Sequence, residues 1–165
     1  MSVHLAAGLN DADMVWLMSL GRFQRLSAGQ RLITAGRPIN DLFFVLSGGL
    51  DVVREDGTRV ATIGEGEVVG EMSFVGEEVP SVSVLAAQSG EVFVAPRGLI
   101  LERLEREPAI GMRFYRALAL CLASRLRETT DAVGVAVLDC MTGTETAAVT
   151  GRFRRLLGSL TGTAN

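Results

Sequence analysis

Val69-Gly70-Glu71-Met72-Ser73-Phe74, followed after a short loop by Pro80-Ser81-Val82-Ser83-Val84, decides how this chain is read. Gly64-Glu65-Gly66-Glu67-Val68 precedes it as a turn leading into an apolar strand. Glycine at 70 lets the backbone turn sharply and approach a ligand closely. Glu71 to Phe74 suits one turn of helix, whose first amides have no partner inside the helix. Such N–H groups, with the positive end of the helix dipole behind them, make a small anion site. Glu71 is badly placed for an anion but well placed to accept a hydrogen bond from a sugar hydroxyl. Ser81 and Ser83 are candidate hydroxyl donors from the far side of the loop. A phosphate joined to a ribose fits that set of groups.

Outward from this stretch, residues 23 to 94 read as short apolar runs punctuated by glycine. Asp41-Leu42-Phe43-Phe44-Val45-Leu46 predicts a strand. Leu50-Asp51-Val52-Val53-Arg54 and Arg59-Val60-Ala61-Thr62-Ile63 flank Asp56-Gly57, a strong hairpin signal. Val82 to Ala87 and Glu91 to Ala95 complete a series of about eight strands, which indicates a barrel or jelly roll over about residues 23–95. Before it, Asn10 is the expected N-cap of a helix with Asp11 and Asp13 in its first turn. Met14, Val15, Leu17 and Met18 form that helix's expected apolar stripe, with Trp16 read as core. After Pro96 the period turns helical. One helix carries Leu99, Ile100, Leu101 and Leu104, and a longer one starts at Pro108, where proline is tolerated in the first turn. Along it Tyr115, Leu118, Ala119, Leu122, Leu126, Thr129 and Val133 recur at spacings of three and four. Such a stripe must be buried on the chain's own barrel or against a twin helix.

These residues carry a resemblance. Gly70-Glu71-Met72-Ser73-Phe74 and Ser81-Val82-Ser83-Val84 resemble the phosphate-binding cassette of cyclic nucleotide-binding domains. Ala28-Gly29, Gly36, the run from Asp41 to Gly49 and Gly64-Glu65-Gly66 fall where that family's glycines and strands fall. The likeness is greatest to the sensor domains of catabolite activator and FNR-type regulators, without their DNA-binding domain. It implies a mainly β fold with flanking helices, a double-stranded β-helix (jelly roll) with a long C-terminal helix. It also implies cAMP or cGMP as ligand and no resident cofactor. Glu71 would hold the ribose 2′-hydroxyl. Gly70, Met72 and Ser73, with Ser81 and Val82 across the loop, would surround the cyclic phosphate. Thr129 and Thr130 stand where a threonine-serine pair, one residue from each subunit's helix, contacts the adenine in those regulators. Where the family usually has an arginine on the phosphate, this chain has Pro80, which offers neither a side-chain donor nor an N–H. Arg97, Arg125 and Arg127 are the candidate replacements.

Composition narrows the field further. The chain has 165 residues, 48% hydrophobic and 21% charged, enough for one sizeable core. Net charge is −3, so no overall electrostatic footprint for nucleic acid exists, and direct nucleic acid binding is not expected. No apolar run reaches the ~20 residues of a membrane span, and the N-terminus lacks a signal-peptide pattern, so a cytoplasmic, membrane-free protein is expected. Cys121 and Cys140 give neither a disulfide framework nor a metal cluster, and the single histidine is His4. Nothing pairs a nucleophile with a base, and a chain without lysine cannot hold a P-loop, so no catalytic or metal residue is assigned and the chain is read as no enzyme. The expected domain covers residues 1–140, with C-terminal helices over about 97–138. Residues 141–165 read as a linker and a short amphipathic tail. Two functions remain: a cyclic nucleotide-binding regulatory module signalling through its long helix, or a degenerate member of the fold used for dimerisation or protein interaction. A homodimer through the 108–138 helix and an effector protein are the expected partners.

Overall fold

The computed structural model describes residues 5–76 and 78–133, with side chains to residue 128 except those of 6 and 7. The chain divides into two units, Met1–Leu126 and Arg127–Asn165. The fold belongs to the first; of the second, the helical backbone to Val133 and the side chains of Arg127 and Glu128 are described. The expected boundary at 140, the tail beyond it, His4 and Cys140 lie outside the described residues.

A 3-10 turn, Leu5–Gly8, precedes α1 (Asp11–Leu20). Then come β1 (Arg22–Leu26), β2 (Arg31–Ile33), β3 (Asp41–Ser47), β4 (Leu50–Val53), β5 (Arg59–Ile63) and β6 (Val68–Val69). The series ends with α2 (Glu71–Gly76), β7 (Ser83–Ala86), β8 (Gly90–Pro96), α3 (Arg97–Arg106) and α4 (Pro108–Val133). The strands form two four-stranded sheets, β1-β8-β3-β6 and β2-β7-β4-β5, every pairing antiparallel. This is the expected jelly roll. The Asp56-Gly57 hairpin forms as the sequence predicts. The Gly57 N–H donates to Arg54 O at 3.0 Å, and the Thr58 N–H donates to the Asp56 carboxylate at 2.8 Å.

The two sheets differ in patterning because they differ in what covers them. In the β1-β8-β3-β6 sheet, β3, β6 and β8 are largely buried on both faces, while β1 is buried only at Leu26. Phe43, Val45, Val69, Val92 and Val94 point into the roll, while Leu42, Val68, Phe93 and Ala95 meet the helices. That explains the uninterrupted apolar runs in β3 and β8, where alternation would otherwise be expected. In the other sheet, β5 is exposed at every residue but Ile63.

Phe114 and Leu118 of α4 and Ile100 of α3 are fully buried against the first sheet. Burying side chains of this size contributes roughly 1.5–3 kcal/mol each. Leu118 therefore leaves the stripe assigned to it and joins the chain's own core. The outward seam on α4 is instead Met112, Tyr115, Ala119, Leu122 and Leu126, still at spacings of three and four. In α1 the expected stripe is also corrected. Val15 and Met18 are exposed, while Trp16, Leu17 and Asp13 face inward. The cause is an ion pair: Arg113 donates to both Asp13 carboxylate oxygens at 2.7 Å. Asp13 also closes a capping box with Asn10 at the start of α1. Among the described residues no helix is long and apolar enough to cross a membrane.

Candidate functional site

Between β6 and β7 the chain makes the turn that the sequence predicts. Gly70 has φ +93°, and a Cβ there would sit 3.0 Å from Asp41 O, so only glycine brings the chain this close to β3. Its carbonyl accepts from the Phe74 N–H at 2.9 Å, starting the single-turn helix α2. Phe74 is buried against Phe114, which fixes α2 on the helical layer and turns its N-terminus toward the roll.

A pocket of ≈ 260 Å³ opens here. Its apolar walls include Ile33, Ile39, Val52, Ile63, Val69, Val79 and Val84 from the inside of the roll and the loop. Gly70, Glu71, Met72, Ser73, Ser81 and Val82 all line it, so six of the expected site residues come together. Met72 is largely exposed at the rim, and Pro80 lines the wall with the exposed Glu78 beside it. Ser83 does not join them. It is buried, and its Oγ accepts from the Ala35 N–H at 3.0 Å and from Arg31 at 3.3 Å. In β7, Val84 faces into the roll, so alternation turns Ser83 to the other face. Thr129 and Thr130 are in the helical backbone of α4, and their side chains lie outside the described residues.

The contact that sequence reasoning could not place is Arg125. It comes from α4, lines the pocket, and donates through Nη1 to Glu71 Oε1 and through Nη2 to Val68 O. Glu71 is only 3% exposed, so its charge is balanced by this guanidinium. Arg125 is the one basic side chain among the described residues lining the pocket. The other candidate replacement with described contacts, Arg97, is turned away: it donates to Phe74 O at 3.3 Å and covers the Phe74 ring. Burial pushes the Cys121 thiol up, which marks it as a packing residue and not a nucleophile.

An antiparallel roll with a cassette turn between its sheets and a long helix leaving it is the architecture of a ligand-sensing domain. Residues 23–107 match the family model of the cyclic nucleotide-binding domain, and the chain belongs to that family. Among curated proteins, Glutaminase 1 of Bradyrhizobium diazoefficiens is 33% identical over 122 residues, 74% of this chain and 20% of that protein. The chain thus spans about a fifth of that relative's length. A cyclic nucleotide-binding domain from Methylobacillus flagellatus superimposes with a TM-score of 0.71 at 24% identity, covering 79% of this chain and 77% of that one. Thermus thermophilus catabolite activator protein gives a TM-score of 0.64 at 28% identity, covering 78% of this chain and 61% of that one. The expected kinship with catabolite activator-type sensor domains is therefore borne out.

Proposed function

We propose that this chain is a non-enzymatic, cytoplasmic regulatory module that binds cAMP or cGMP in the cassette pocket and signals through α4. The observation that carries the reading is the bond between Glu71 of the cassette and Arg125 of α4 on the pocket wall. A ribose 2′-hydroxyl donating to Glu71 would share the carboxylate with Arg125. Release of that guanidinium would loosen the cassette's hold on the helix bearing it. The phosphate would rest on the amides of Met72 and Ser73 with Ser81 assisting, and Thr129 and Thr130 would reach the base. The seam of Met112, Tyr115, Ala119, Leu122 and Leu126 has the a/d spacing that a twin helix covers, so the functional unit is a two-fold homodimer. Its effector is another protein or domain, not nucleic acid or membrane. The relatives named as glutaminases, with most of their length outside the match, suggest an enzyme in that role.

The second reading, an interaction module that has lost its ligand, is favoured by one observation: Pro80 lines the pocket and the pocket's guanidinium is already engaged by Glu71. A charged arginine–phosphate contact is worth roughly 1.5–3 kcal/mol, so its loss weakens binding about ten- to a hundred-fold or more. Calorimetric titration with cAMP and cGMP separates the two. Saturable binding in the high micromolar to millimolar range, abolished by Glu71→Gln, supports the sensor. Absence of binding at millimolar nucleotide leaves the interaction module.

A further inference from the structure

The outward face of the β2-β7-β4-β5 sheet carries a second concavity, ≈ 520 Å³, distinct from the cassette pocket. Arg31 reaches it from β2 and Arg54 from the end of β4, while Val53, Leu85 and Ala35 provide an apolar floor. Neither arginine takes part in an ion pair among the described residues. The Arg31 side chain is held in place, and Arg54 is fixed at its backbone. Arg31 donates through Nη1 to Ser83 Oγ at 3.3 Å, and that serine, 6% exposed, is itself fixed by the Ala35 N–H at 3.0 Å. Ser83 Oγ accepts both bonds, so its own hydroxyl proton remains to be given. Arg54 is anchored at its backbone by both ends of the hairpin turn, with its N–H donating to Thr58 O at 2.9 Å and its carbonyl accepting from Gly57. Two arginines and one acidic residue, Glu55, line the concavity, and Asp56 of the same turn also attracts Arg54 from outside the lining.

We propose that this concavity is a second ligand site, taking a small oxyanion carried on a compact apolar body. The two guanidinium forks would grip the oxyanion, since planar arginine matches phosphate and carboxylate geometry with paired donors. Thr34 and Ser83 would supply hydroxyls, and the apolar portion would rest on Val53 and Leu85. The proposal is independent of the cassette reading. In the cassette pocket the basic group is ion-paired with Glu71, whereas here Arg31 is held only by a neutral serine and Arg54 by the longer-range attraction of Asp56. The test is a titration of the full ¹⁵N-labelled chain with phenyl phosphate and, separately, benzoate, read amide by amide. Saturable shifts at Ala35, Val53, Arg54 and Gly57, with Gly70 to Ser73 unmoved, are expected for at least one probe. Arg31→Gln and Arg54→Gln should each weaken that binding about tenfold, the size of one charged hydrogen bond. Both side chains are exposed, so neither substitution should unfold the domain. Shifts confined to the cassette, equal binding of uncharged phenol, or titrations unchanged by both substitutions would overturn the proposal.

Discussion

Replacing Pro80 by arginine puts a guanidinium on the cassette wall at the position where the family carries one. Pro80 is half-buried on the pocket wall, and its carbonyl accepts from the Gly36 N–H at 2.8 Å, a bond that any residue at 80 can keep. The change should therefore leave the loop's path intact and cost only the rigidity of proline, about 0.4–1 kcal/mol. Against a cyclic phosphate about 4 Å away, the bare attraction at an effective dielectric near 20 is roughly 4 kcal/mol. After desolvation, about 1.5–3 kcal/mol remains as net gain, or roughly ten- to a hundred-fold in affinity. Glu78 lines the same pocket and is exposed, so it will draw on the new charge by up to about 1 kcal/mol. Pro80→Arg combined with Glu78→Gln should accordingly bind cAMP more tightly than Pro80→Arg alone. Isothermal calorimetry at matched ionic strength measures both. If both variants fold as the parent does and neither binds millimolar nucleotide, the ribose and phosphate assignments around Glu71, Met72 and Ser73 are wrong.

Three further outcomes follow from the packing. Leu122→Glu with Leu126→Glu should shift the chain from dimer to a folded monomer in sedimentation velocity, with an unfolding midpoint that no longer depends on concentration, because both side chains lie on the outward seam of α4; a monomeric parent would refute the seam's assignment. Asp13→Ala should cost about 2–3 kcal/mol in urea unfolding, below the 3–5 kcal/mol of a fully buried pair because Arg113 is one-third exposed. The Arg113 guanidinium holds the Asp13 carboxyl below its ordinary 3.8, so this stabilisation is present above that value and is lost as pH falls below it; acid unfolding that is identical in parent and Asp13→Ala would sink the argument. Gly70→Ala should destabilise the fold by about 1–2 kcal/mol through its left-handed φ alone, and more through the contact with Asp41 O, as thermal unfolding would show.

What the sequence made legible, and what it did not, divides along a physical line. Local signals were read correctly: the Asp56-Gly57 hairpin, the Asn10 cap, the Pro108 helix start and the Gly70 turn each depend on a few consecutive residues. The failures concern which way a side chain faces once layers meet. Val15 and Met18 are apolar and lie on α1, yet Asp13 takes the inward position because Arg113, 100 positions later, meets it there. Leu118 and Tyr115 have compatible spacings, but one is buried and the other lies on the seam, since α4 has two apolar faces and periodicity does not say which one the barrel takes. Ser83 resembled Ser81, but strand alternation sends it to the opposite face of the sheet. Arg125 was one of three arginines with nothing local to choose among them; its role appears only when α4 is laid against the cassette.

These anchors suggest how a binding event would be transmitted. Up to Leu126, α4 is fixed at its start by the Arg113–Asp13 pair, in its middle by the burial of Phe114, Leu118 and Cys121, and further on by Arg125. The first attachment is to α1, away from the cassette pocket; the second includes the contact of Phe114 with Phe74 of the cassette helix α2. The third is to Glu71, which lines the pocket, and to the carbonyl of Val68 in the adjoining strand. In the proposed sensor the third is the attachment made directly to a pocket-lining side chain. Partial release there would free the C-terminal part of the helix while its N-terminal part stayed docked, so the response would be a pivot about the Phe114–Leu118 contact and not a translation of the whole helix. Leu122 and Leu126 lie beyond that contact along the helix, on the outward seam, where a small rotation is felt first. The same geometry also explains why losing the phosphate arginine need not silence the domain. In the proposed sensor the group reporting to α4 would be the carboxylate of Glu71, and Pro80 leaves that carboxylate in place.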